Sequence, residues 1–81
     1  MAVDTSRLDW RPVSSSNVAA GAWDETFERL YVRFRSGAVY EYSGVSRATW
    51  LAFLNAPSKG QFVFRVLRGN GTDGAFGYRK L

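Results

Sequence analysis

The feature that most constrains this chain is the alternation from Leu30 to Arg35, where Leu30, Val32 and Phe34 interleave with Tyr31, Arg33 and Arg35. Successive side chains of a strand point to opposite faces, so a period of two marks a strand with one face buried. Ser36-Gly37 reads as a two-residue hairpin turn, and Ala38 to Ser43 as the returning strand. Such a turn sets Arg35 opposite Ala38, Phe34 opposite Val39, Arg33 opposite Tyr40 and Tyr31 opposite Tyr42. Opposed residues share a face. Leu30, Val32, Phe34 and Val39 are then the core set. Tyr31, Arg33, Arg35, Tyr40 and Tyr42 make an aromatic and arginine surface on the other side.

A preceding strand is expected over Val18 to Trp23, with Gly21 marking a bulge or a close backbone approach and Asp24-Glu25-Thr26 as the turn. The polar cluster Ser14 to Asn17 suits the start of that strand, through local side-chain-to-backbone bonds. Downstream, Ser46 caps a helix expected over Arg47 to Ala56. Val45 and Trp50 occupy its hydrophobic-staple positions, and Trp50, Phe53 and Leu54 form its buried stripe. Pro57 ends it. Ser58 with Gln61 spells a capping box before Phe62, Val63, Val66 and Leu67, so a second helix should begin after Ser58 with Gln61, Arg65 and Arg68 on its other stripe. Gly69 to Gly74 reads as a loop, and the tail Phe76 to Leu81 packs back through an aromatic. The expected fold is α+β, a three-stranded antiparallel sheet followed by two short helices packed on one face. Residues 1–12 form an N-terminal arm, with Trp10 and Val13 able to dock, and residues 13–81 form the domain.

With 81 residues the chain makes one domain, near the lower limit for folding without cross-links. Thirteen aromatics within an apolar fraction of 46% supply the buried area that must offset chain entropy. Cysteine and histidine are absent. That removes disulfides, zinc sites of the usual type, Cys-His nucleophiles and the commonest general base. Carboxylates, Lys and Tyr can still catalyse, but no arrangement of them stands out, so no enzymatic activity and no cofactor are expected. Ser14, Ser15 and Ser16 have no base to activate them. Asp24, Glu25 and Glu28 suit a solvated turn better than a cation site. Gly69-x-Gly71 lacks the flanking strand and helix of a nucleotide loop. No apolar run reaches a membrane span, and Met1 to Arg7 lacks the apolar stretch of a secretory signal, so a cytoplasmic protein with no membrane partner is expected.

The net charge of +4 resides in the C-terminal third. Up to Ser58 six basic residues balance six acidic ones, whereas Lys59, Arg65, Arg68, Arg79 and Lys80 face only Asp73. Nine of the eleven basic residues are arginine, which grips phosphate bidentately and stacks on planar groups.

Taken together, these pieces resemble the KTSC domain family, a short domain found alone in bacteria and phages and at the C-terminus of some lysyl-tRNA synthetases. The resemblance rests on Val13-Ser14-Ser15-Ser16-Asn17-Val18, on Leu30 through Gly37, and on Val39-Tyr40-Glu41-Tyr42 with its central Tyr-x-Tyr. It continues through Leu54-Asn55-Ala56-Pro57-Ser58-Lys59-Gly60, Arg65, Arg68 and Tyr78, and so spans Val13 to Leu81. The loop Gly69 to Gly77 is longer than the family pattern, and residues 1–12 have no counterpart in it. The resemblance implies a three-stranded antiparallel sheet with helices against it, and a role in binding RNA.

The candidate nucleic-acid-binding residues are therefore Tyr31, Arg33, Arg35, Tyr40 and Tyr42 on the sheet, with Lys59, Arg65 and Arg68 at the second helix. Sheet aromatics stack on unpaired bases and arginines hold phosphates. The competing structural reading has Tyr40 and Tyr42 beneath the helices and the basic residues on a solvated stripe. The expected partner is RNA or another single-stranded nucleic acid. The alternative is a protein-interaction or inhibitor module of phage or bacterial origin, with the aromatic patch as its hot spot.

Overall fold

A computed structural model describes residues 8–63 and 77–81. Among the described residues it has the α+β architecture, with a sheet of five strands in place of three, and two helices. The strands are β1 (Arg11–Pro12), β2 (Val18–Asp24), β3 (Arg29–Phe34), β4 (Val39–Ser43) and β5 (Tyr78–Lys80), and the helices α1 (Arg47–Asn55) and α2 (Lys59–Phe62) lie between β4 and β5 in the chain. The sheet runs β1-β2-β3-β4-β5, antiparallel throughout. The two outer strands escape the sequence pattern because they are two and three residues long. A period of two needs four or more residues to register.

The register of the β3–β4 hairpin differs by one residue from the expected one. Arg33 opposes Val39, Val32 opposes Tyr40, Tyr31 opposes Glu41 and Leu30 opposes Tyr42. The cause is the turn. The Phe34 amide donates to the Ala38 carbonyl at 2.8 Å and the Gly37 amide to the Phe34 carbonyl at 2.9 Å, which closes a three-residue loop, Arg35-Ser36-Gly37. Gly37 takes its third position with φ of +96°. A two-residue turn of the favoured type would have required positive φ at Ser36 as well, which glycine tolerates and serine does not. One shifted residue exchanges the whole of β4 between faces. Val39 leaves the core set, and Tyr40 and Tyr42 join Leu30, Val32 and Phe34.

The core lies between this face and the helices, where Val18, Leu30, Val32, Tyr42, Val45, Trp50, Phe53 and Val63 form one buried cluster. Trp50 and Phe53 stack at 5.9 Å, and Phe62 meets Phe53 edge-on at 5.7 Å. A Cβ at Gly21 would come within 2.7 Å of the Phe53 ring and 3.3 Å of Trp50, so that glycine is a close backbone approach. The irregularity of β2 lies nearby, between Val18 and Ala20. Both caps form as the sequence indicates: Ser46 accepts from the Thr49 amide and Ser58 from the Gln61 amide. Ser15 Oγ accepts from the Asn17 and Val18 amides and so starts β2.

Candidate functional site

The five sheet residues expected to share one surface are divided between two faces. On the side away from the helices, Tyr31 is buried and its hydroxyl donates to Glu41 Oε2 at 2.8 Å. Arg79 of β5 donates from Nε to the other carboxylate oxygen at 2.9 Å. Glu41 is only 4% exposed, so this double hydrogen bond compensates its desolvation. Burial raises the Tyr31 hydroxyl pKa above 10.0, and Glu41 adds to the shift through its hydrogen bond and its charge, against a smaller opposite pull from Arg29. Arg33 lies on the same side with its guanidinium 4.3 Å from the centre of the Trp10 ring. Tyr31 and Arg33 are thus structural members of the second face rather than an open stacking surface.

Tyr40 and Tyr42 lie on the helix side. Their rings are near-parallel at 6.5 Å, Phe34 meets Tyr40 edge-on at 5.6 Å, and Tyr78 of β5 lies 6.3 Å from Tyr40 and 5.8 Å from Tyr42. Tyr42 is buried at 1% exposure, whereas Tyr40 is half-buried and Tyr78 is 48% exposed. The row therefore begins in the core and reaches the surface.

Where it does so, a cleft of about 660 Å³ opens between the sheet and α2. Among the described residues Phe34, Tyr40 and Tyr42 supply its aromatic wall, and Arg35 and Lys80 are the charged residues of its lining. Ser16, Asn17 and Ser36 contribute uncharged polar groups. No carboxylate lines it among the described residues. Arg35 is fixed in place: its Nε donates to the Ser15 carbonyl at 2.6 Å and its amide to the Asn17 carbonyl at 2.9 Å. Lys80 stands opposite Tyr40 in the β4–β5 pairing. Sequence reasoning singled out Arg35, Tyr40 and Tyr42 but missed Phe34, Asn17 and Lys80 as neighbours. The third position of Gly37 in its loop was the signal that would have placed Phe34 beside Tyr40.

Lys59 is engaged with the end of α1. Its ammonium donates to the carbonyls of Leu54, at 3.0 Å, and Ala56. The last carbonyls of α1 lack intrahelical partners, Pro57 prevents the helix from continuing, and the lysine just beyond satisfies them. Arg65 and Arg68 lie outside the described residues. Asp24 accepts from the Thr26 and Phe27 amides and so shapes its turn. Among the described residues no three His, Cys, Asp or Glu side chains converge as a metal site. No helix among them is long and apolar enough to cross a membrane.

Comparison with known proteins adds two findings. The family model of the KTSC domain matches residues 14–70. A crystal structure of a KTSC domain protein from Yersinia pestis superposes with a TM-score of 0.74 at 31% identity, covering 91% of this chain and 97% of that one. A search of curated proteins returned no match.

Proposed function

The chain belongs to the KTSC domain family, and from that footing we propose that it is a small non-catalytic module that binds single-stranded nucleic acid, RNA by preference. The observation that carries this reading is the cleft beside α2, with a tyrosine wall, Arg35 and Lys80 in its lining and no acid among its described residues. Aromatic surface beside fixed positive charge is the general recipe for holding unpaired bases and their phosphates. Arg65 and Arg68 add charge in the same third of the sequence.

The test is an equilibrium titration of generic tRNA and of a single-stranded oligonucleotide over a range of salt. Binding should weaken as salt rises, with the log of affinity falling by about 0.7 per phosphate contact for a single strand. Absence of binding at low salt would refute the reading. It would favour a protein partner, for which the exposed Tyr78 and Leu81 at the β5 edge are the supporting observation.

A further inference from the structure

We infer that the cleft is a pocket for one nucleotide unit, with its base over Tyr40, the base edge at the Asn17 carboxamide and the phosphate between Arg35 and Lys80. This deepens the proposed function and rests on it. Size is the first support. A cleft of about 660 Å³ falls in the range of roughly 300–1,000 Å³ usual for small-molecule sites, and it suits an unpaired nucleotide rather than a duplex.

The walls are fixed before any ligand arrives. Tyr40 is held by Phe34 edge-on and by Tyr42 and Tyr78 alongside, so its ring is a positioned platform. The two hydrogen bonds from Arg35 to the Ser15–Asn17 segment bring its guanidinium and the Asn17 side chain into one wall. Among the described residues no group bonds the Asn17 carboxamide, which offers an adjacent donor and acceptor, the pattern that a base edge matches. The Asn17 side chain is itself backed by Gly60, where a Cβ would lie 3.2 Å from Nδ2.

Charge is sorted across β5. Arg79 reaches the buried Glu41 on one face of the sheet, while Lys80, on the other, has no carboxylate partner among the described residues. Within β5 the cleft side therefore keeps its positive charge, whereas the arginine on the other face is paired with a carboxylate. The same chemistry would accept a free mononucleotide or one unpaired residue of an RNA chain.

The experiment titrates the full chain with a labelled RNA hexamer and with AMP as competitor. AMP should displace the hexamer. Asn17→Ala and Lys80→Ala, both at exposed positions, should weaken hexamer binding several-fold, with Lys80→Ala also flattening the salt slope by about 0.7. Tyr40→Ala should weaken binding by about 5- to 150-fold, and Tyr40→Phe should restore it, which separates stacking from misfolding. A hexamer bound more strongly than AMP identifies the RNA residue as the occupant, and equal affinity identifies the free nucleotide. Failure of AMP to compete, or wild-type binding by both the Asn17 and Lys80 variants, overturns the pocket while leaving RNA binding to another surface. No hexamer binding at low salt removes the proposed function as well.

Discussion

The Tyr31 hydroxyl donates to the Glu41 carboxylate at 2.8 Å, directly across the β3–β4 pair on the face that the helices leave alone. With Arg79 on the other oxygen, this contact ties three strands together, β3 through Tyr31, β4 through Glu41 and β5 through Arg79. Removing the donor leaves a buried carboxylate short of one bond. Tyr31→Phe should accordingly cost about 1.5–3 kcal/mol at neutral pH, the usual range for hydrogen bonds to a charged group. Its pH dependence has a definite sign. The folded Tyr31 pKa is raised above 10.0, so its contribution is fully present below pH 10 and is lost as pH climbs toward the folded value. Urea denaturation at neutral and strongly alkaline pH should show the gap between wild type and Tyr31→Phe closing as pH rises. A gap that widens would refute the assignment.

Gly21 tests the packing of α1 on the sheet. An added methyl group would meet Phe53 Cε2 at 2.7 Å, in a core where Phe53 is fully buried. Gly21→Ala should destabilise by about 1–3 kcal/mol through overpacking. Shortening the obstacle should partly relieve it, so Gly21→Ala with Phe53→Leu should be less destabilised than the sum of the single variants. Additive losses in a double-mutant cycle would mean that the two sites do not touch.

The division between what the sequence revealed and what it concealed follows from range. Ser46 and Ser58 announced both helices because a cap acts within three residues. Strands β2, β3 and β4 lay where the apolar pattern put them. The face of β4 was hidden because it depends on one loop residue, and Gly37 fits either a two- or a three-residue turn when only its identity is read. β5 was hidden for another reason: Tyr78 pairs with Tyr42 across a long stretch of chain, and three residues carry no readable period. The proposed site inherits both difficulties, since its aromatic wall depends on the register of β4 and its Lys80 on β5.

Phe53 and Arg33 lie on opposite sides of the sheet and should behave accordingly. Phe53→Ala empties the centre of the core and should cost about 3–5 kcal/mol. Arg33→Ala removes a cation stacked on Trp10 and should cost about 0.5–1 kcal/mol, more than a bare surface substitution. Trp10→Ala should remove most of that effect in a double-mutant cycle measured by denaturant titration. An Arg33 loss that persists without Trp10 would show that the stacking is not its cause.

Lys59 provides the test that separates holding the fold from holding a ligand. Its ammonium satisfies two carbonyls at the end of α1, so Lys59→Ala should lower stability by about 1–2 kcal/mol. The salt slope of RNA binding should remain at the wild-type value, because a lysine engaged with the backbone releases no counterion from phosphate. Replacement of Arg65 and Arg68 by Ala is the comparison. If both contact phosphate, the slope should flatten by about one to one and a half units. Measured on the same oligonucleotide, the two variants separate the basic residues by task. A Lys59→Ala protein of wild-type stability with a flattened slope would reverse the assignment and make Lys59 a phosphate contact.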